Sequence, residues 1–213
     1  MDESKNYSFN HLKIHSQYSI CEGAIKIDDL KDFSKENKIR SLGLCDTTNL
    51  CGALEFAEKI SKVGTQPIIG TQINFKFGDT IGLLPLFAMN EKGYKRIIEL
   101  SSISFLHNDQ LSDPYVSFEE LYKKSDGVAL FSGTVMGLFG KLFDKGKFKE
   151  INNLYKKLAE NFGDKFYLEI QRHNDHNEDE FEKFNLNQSS KLEIPIIATN
   201  EVFYSNRDMH EAH

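Results

Sequence analysis

Short apolar runs and helically spaced apolar stripes take turns along this 213-residue chain, and no other feature narrows its choice of fold as far. Phe9 to His15 reads as a strand. Ile27, Leu30, Phe33 and Ser34 then recur at helical spacing, with Asp28 and Asp29 in the first turn of a helix reaching about Asn37. Ser41 to Cys45 is a buried strand, followed by the stripe Leu50, Ala53, Leu54, Ala57 and Ile60. Pro67 to Phe77 is a strand closed by a Gly78-Asp79 turn, and Leu83 to Met89 another, where Pro85 argues for an edge or a bulge. Gly93 to Phe105 is helical and His107 to Tyr115 a loop. Ser117-Phe118-Glu119-Glu120 fits a capping box for a helix to Lys124. Val128 to Ser132, Phe166 to Gln171 and Pro195 to Thr199 complete the strands. Between them fall helices over Met136 to Phe143, over the stripe Ile151, Leu154, Tyr155, Leu158 and Phe162, and over Glu178 to Lys191. Such alternation predicts a parallel α/β sheet or barrel in one domain.

In folds of that kind, sites gather where strands end and loops begin. The predicted strand ends carry His15, Asp46, Thr134, His173 and Glu201, polar residues from well-separated parts of the chain. The first strand is the most distinctive. Phe9, His11, Lys13 and His15 share one face, while Leu12 and Ile14 occupy the other. Two imidazoles and an ammonium on one face suit an anion, a metal or a partner, although the ammonium repels a cation. The same pattern also fits a strand with two hydrogen-bonded histidines.

Composition removes several classes. The net charge of −6 is spread along the chain, and the only local basic excess is Lys141, Lys145, Lys147 and Lys149 with Lys156 and Lys157, which argues against tight DNA binding by this chain. The three cysteines, Cys21, Cys45 and Cys51, match neither a disulfide framework nor a zinc-site spacing. Residues 1–8 are polar and read as a flexible N-terminus without a leader. No apolar run approaches the roughly 20 residues of a membrane span, so a soluble, cytoplasmic protein is expected. Cys45 and Cys51 read as small core residues, and Phe9, Phe33, Phe56, Phe131 and Phe166 as core rather than a base-stacking platform. His11 is expected at the core edge with a hydrogen bond. His176 has ligand-like spacing from His173 but lies in a polar run that reads as a solvated loop. His210 and His213 are expected to be exposed or frayed.

The motifs themselves resemble a known family. His-Leu-Lys-Ile-His-Ser-Gln-Tyr-Ser, from His11 to Ser19, is similar to the first motif of PHP (polymerase and histidinol phosphatase) domains, and Leu44-Cys45-Asp46-Thr47-Thr48-Asn49-Leu50-Cys51-Gly52-Ala53 to the second. Pro67-Ile68-Ile69-Gly70, Leu130-Phe131-Ser132-Gly133, Leu168-Glu169-Ile170-Gln171 and Ala198-Thr199-Asn200-Glu201 continue the match in order. The likeness is to the PHP domains at the N-terminus of bacterial replicative DNA polymerase III alpha subunits. It implies a distorted (β/α)7 barrel over residues 9–213, as a fragment of a longer chain whose palm lies beyond it.

The family's metal site implies ligands position by position, and this chain keeps few. His15 matches the second member of a His-x-His pair, but Lys13 replaces the first. Asp46 matches, but Thr47 replaces its histidine neighbour. Gln72 stands at an acidic position, Leu83 near a histidine position and Thr134 where a cysteine stands. His173 matches, Glu201 replaces the final aspartate, and Phe203 the last histidine. The resemblance therefore implies a vestigial site of His15, Asp46, His173 and Glu201, with no metal expected and Lys13 pairing with Asp46 or Glu201 in its stead. It further implies a non-catalytic structural and docking module. Its partners would be the rest of the polymerase chain and a proofreading exonuclease subunit. DNA would be met through the parent polymerase, whose Mg2+ serves nucleotidyl transfer elsewhere. The alternatives are a metal-dependent phosphoesterase or 3′–5′ exonuclease at the barrel mouth, or a free-standing phosphatase.

Overall fold

The computed structural model describes residues 9–106, 113–123 and 125–210; the expected flexible segment 1–8, most of the loop before Tyr115, Lys124 and His213 lie outside them. The strands are β1 (Lys13–Ile14), β2 (Ser41–Thr47), β3 (Gln66–Phe77), β4 (Thr80–Ala88), β5 (Val116–Ser117), β6 (Val128–Phe131), β7 (Phe166–Ile170), β8 (Ile196–Ala198) and β9 (Glu201–Val202). The helices are α1 (Ile27–Glu36), α2 (Ala53–Ser61), α3 (Glu91–Leu106), α4 (Phe118–Lys123), α5 (Leu138–Asp144), α6 (Phe148–Phe162), α7 (Glu178–Leu192) and α8 (Arg207–His210). No described helix is long and apolar enough to cross a membrane.

The main sheet runs β2-β3-β4-β6-β7-β8, with β5 added beside β3. It curls into a half-barrel. β1 and β9 pair separately, in parallel, with Lys13 opposite Glu201 and Ile14 opposite Val202. This pair bridges the two ends of the curl: the Gly43 amide donates to the His11 carbonyl at 2.7 Å, and β9 follows β8 after two residues. Glycine is required at that approach, because a Cβ on Gly43 would stand 2.4 Å from the Leu12 oxygen.

The expected parallel pairing holds for β2–β3, β6–β7 and β7–β8, and two ladders depart from it. β3 pairs antiparallel with β4, and β4 antiparallel with β6. Two residues, Gly78 and Asp79, join β3 to β4, and Gly78 takes the positive φ of +60° that a tight reversal needs. Two residues leave no room for the crossover that a parallel pairing requires. Pro85 lies in β4 before its ladder with β6 begins at Leu86, so its missing N–H breaks no bond to that neighbour. The first strand is shorter than Phe9 to His15, and β9 follows a strand that ends at Ala198 rather than Thr199.

Helices cover the outside of the sheet. Leu130, Phe166 and Leu168 point into the largest core with Phe139 and Leu142 of α5 and Ile151, Leu154 and Leu158 of α6. Tyr155 is central there: its ring packs edge-on against Phe139 at 4.6 Å and Phe166 at 5.7 Å, and its hydroxyl donates to Asn185 Oδ1 at 2.9 Å. Burial pushes the Tyr155 phenol upward, as expected of a group that stays neutral in an apolar core. Tyr155→Phe is expected to cost about 1–2 kcal/mol in urea unfolding, since it strands the buried Asn185 acceptor without changing the packing; no change would mean that the hydroxyl contributes nothing.

Phe56, Phe131 and Phe166 are buried as expected, but Phe9 is 51% and Phe33 47% exposed. Phe33 lies on an exposed face of α1, and Phe9 precedes β1 with the His11 ring set edge-on against it at 5.0 Å. Cys45 is buried, whereas Cys51 is exposed in the turn before α2. Cys45, Phe87, Ala129 and Phe131, with Leu12, Ile68, Tyr167 and Ile197 beside them, form an apolar plug inside the curl. The polar mouth stands on this plug.

Candidate functional site at the barrel mouth

Lys13 is 2% exposed, which an unpaired ammonium could not sustain. Its Nζ lies 3.3 Å from Glu169 Oε1 on β7 and 3.3 Å from Glu201 Oε2 on β9. Burial works to strip its proton, but the two carboxylates outweigh burial and hold it above the ordinary lysine value. Glu201 shows the reciprocal effect. Burial favours its neutral form, yet a hydrogen bond from His15 and the charge of Lys13 bring it down to about 2. Glu169 Oε1 also accepts from Gln171 Nε2 at 3.2 Å and from the Thr199 hydroxyl. Its second oxygen is buried without a partner among the described residues.

Beside this triad, His15 Nε2 donates to Glu201 Oε1 at 2.9 Å, and the imidazole stacks on Phe203 with centroids 4.4 Å apart. Its Nδ1 faces Ser19 Oγ at 3.4 Å and Thr47 Oγ1 at 3.5 Å. Asp46 is buried and occupied from within the chain. The Ser16 amide donates to it at 2.7 Å, the Ser16 hydroxyl at 2.9 Å and the Ser19 hydroxyl at 2.8 Å. Ser19 Oγ in turn accepts the Thr47 amide at 3.0 Å. Thr47 donates its hydroxyl to Glu22 and accepts from Gln72 Nε2 at 3.0 Å. The loop after β1 is thus pinned across the end of β2.

The rim is wetter. His173 is exposed, with Nε2 2.7 Å from Asn200 Oδ1, and the His173 and Asn174 amides donate to Glu178 Oε2 at 2.7 and 2.8 Å. Among the described residues, His173, Asp175 and Glu178 offer ligand atoms within 4.8 Å of one another. His176 is exposed and takes no part in that group.

A pocket of about 530 Å³ opens over these residues, walled in part by Lys13, Gln72, Leu83, Thr134, His173, Glu201 and Phe203. Seven positions singled out in the sequence therefore meet on one surface. His15, Asp46 and Thr47 are not part of that wall; His15 and Asp46 are buried and Thr47 is half-buried. Lys13 takes Glu201, as anticipated, but its other partner is Glu169 rather than Asp46, which accepts three hydrogen bonds from the two serines. Glu169 was missed, as were Ser16, Ser19 and Thr199. A glutamate inside the otherwise apolar run Phe166-Tyr167-Leu168-Glu169-Ile170 was the available signal, because a buried carboxylate demands a cationic partner. His11 departs from expectation as well: its Nδ1 is buried without a hydrogen-bond partner among the described residues, and burial lowers its pKa.

Fold and mouth together define a curled α/β half-barrel with a polar pocket at the ends of its strands. The chain belongs to the PHP domain family, whose model matches residues 11–173. It is 35% identical over 221 residues to the DNA polymerase III subunit alpha of Caulobacter vibrioides, covering 100% of this chain and 19% of that protein. The corresponding subunit of Rickettsia felis is 35% identical over 206 residues, which are 96% of this chain and 17% of the relative. The chain thus spans about a fifth of the length of these curated relatives. Solved structures share the fold at low identity. One from Bifidobacterium adolescentis, assigned as a metal-dependent phosphoesterase, superposes with a TM-score of 0.56 at 11% identity, covering 93% of this chain and 88% of that one. An amidohydrolase from Chromobacterium violaceum, with bound sulfate and no metal, gives 0.57 at 11% identity over 92% and 88%.

Proposed function

We propose that residues 9–213 form the N-terminal PHP domain of a bacterial replicative DNA polymerase III alpha subunit, and that this domain is a non-catalytic structural and partner-docking module. The observation that carries this reading is the Lys13 ammonium, buried between the Glu169 and Glu201 carboxylates where the family pattern calls for a metal ligand. The inner residues do not fit a divalent ion. A cation there would face Lys13, Asp46 already accepts three hydrogen bonds from Ser16 and Ser19, and His15 Nε2 is committed to Glu201. Thr47 and Phe203 offer no imidazole. Nucleotidyl transfer and its Mg2+ then belong to the remainder of the polymerase, which also meets the DNA. The docked partners are that remainder and a proofreading exonuclease subunit, in the cytoplasm where chromosomal replication proceeds.

One observation favours a second reading, a metal-dependent phosphoesterase or exonuclease working at the rim: His173, Asp175 and Glu178 stand within coordinating reach of one another. Metal content separates the two. After incubation with excess Zn2+ or Mn2+ and desalting, near-zero occupancy by mass spectrometry is the expected result. One ion per chain, lost on His173→Ala, would give the phosphoesterase reading the lead. Lys13→His is expected to leave single-stranded DNA uncleaved, because Thr47 and Phe203 still supply no ligand; measurable hydrolysis by that variant would overturn the reading.

A further inference from the structure

We propose that Lys13 fastens the barrel shut, its single ammonium cross-linking β1 to β7 through Glu169 and to β9 through Glu201. The proposal rests on the reading that no metal ion sits among these residues, and it assigns the side chain a mechanical task beyond excluding one.

Topology is the first argument. The β1–β9 pair lies outside the main sheet. On one side it is attached to β2 by the Gly43 amide on the His11 carbonyl and by the Ser16 amide and hydroxyl on Asp46, and on the other by the chain through Thr199, whose amide donates to the Ile170 carbonyl at 3.1 Å. β7 makes its ladders with β6 and β8 and none with β9 among the described residues. Across that gap two carboxylates face each other, Glu169 from β7 and Glu201 from β9. Lys13 Nζ stands 3.3 Å from each. With the ammonium present, like charges on separate strands are drawn to one point. Without it, the same pair would push the strands apart, because buried like charges repel strongly at low dielectric.

Charge balance is the second argument. One ammonium serves two carboxylates, and the uncompensated oxygen is Glu169 Oε2, which is buried and has no partner among the described residues. Glu169→Gln would remove that excess and keep an acceptor oxygen for Thr199, Gln171 and Lys13. Glu201→Gln would weaken the contacts to both His15 and Lys13. A fastener built from charge thus predicts an asymmetry between two chemically identical substitutions, which a residue that merely fills space does not.

The test is amide hydrogen exchange on the purified chain in EDTA. It follows the His15 amide, bonded to the Val202 carbonyl at 2.8 Å, and the Ala24 amide, bonded to the Phe203 carbonyl at 2.8 Å. Lys13→Met is expected to speed exchange at both by on the order of 100-fold while the β3–β4 hairpin keeps its protection. Glu169→Gln alone should change exchange by no more than a few-fold, and in the Lys13→Met background it should restore at least about tenfold of the protection. Parent-like exchange in Lys13→Met overturns the proposal, and so does a double variant with no recovery, which would leave only the packing of the lysine stem. Should Lys13→Met fail to fold, Glu201→Gln carries the same readout: loosening supports the fastener and unchanged exchange overturns it. Metal analysis of the same samples keeps the two readings apart. Bound ions would defeat the metal-free reading, whereas ion-free protein with unresponsive exchange would defeat the fastener alone.

Discussion

Asp46→Ala is expected to lower the unfolding free energy by about 3–5 kcal/mol and to release the loop after β1. The carboxylate accepts three hydrogen bonds, from the Ser16 amide, the Ser16 hydroxyl and the Ser19 hydroxyl, all within 2.9 Å and all buried. Alanine would strand these donors, each left without water at a cost of about 1–3 kcal/mol. The loss spreads because Ser19 Oγ also accepts the Thr47 amide and Ser16 Oγ the Tyr18 amide. Glu22, which walls the pocket, hangs from the same loop through Thr47. Urea unfolding with exchange at the Ser16 amide measures both effects. Asp46→Asn, which keeps an acceptor, should lose roughly half as much. A stability for Asp46→Ala within about 1 kcal/mol of the parent would mean that the loop is held by other contacts.

Acid should unfold the protein through the mouth rather than through its surface. Glu201 titrates at about 2 in the fold against an ordinary 4.5, so the folded state prefers the carboxylate. A depressed carboxyl contributes stability that is present above about pH 4.5 and lost as the pH falls toward 2. At about 1.4 kcal/mol per unit, that loss is roughly 3 kcal/mol, shared between Glu201 and Lys13 as partners of one buried contact. Lys13 is shifted upward, so its contribution is complete below its ordinary value of 10.5 and lost only as the pH rises through its still higher folded value. A broad plateau between these limits is expected. Urea unfolding at pH 7, 4 and 2.5 reads the acid limb, and Glu201→Gln should flatten it. An equal slope in parent and variant would place the acid sensitivity elsewhere.

Much of the outer architecture was legible in the residues. The stripe Ile151, Leu154, Tyr155, Leu158 and Phe162 became α6, and the runs at Val128 and Phe166 became β6 and β7, because a buried face imposes its period on the sequence directly. The reversal at β3–β4 was less visible. Gly78-Asp79 reads as a turn, but the local pattern alone does not say that the strands it joins pair with each other, as β3 and β4 do. Phe9 and Phe33 show the limit of spacing arguments: an apolar residue at the right interval still meets water where no second layer covers it.

The sequence by itself determined most of the alternation of strands and helices, which follows from periodicity, and its motifs pointed to the family; the likeness to that family in turn marked positions such as Gln72, Leu83 and Phe203 that line the mouth. Tertiary structure decided who partners whom. Lys13 meets Glu169, 156 positions away by number, and Asp46 is taken by Ser16 and Ser19 before any lysine can reach it. Such pairings are set by the curl of the sheet, which brings β1, β7 and β9 to one point. In a buried site the nearest unfilled opposite charge wins, and only the folded chain says which charge is nearest.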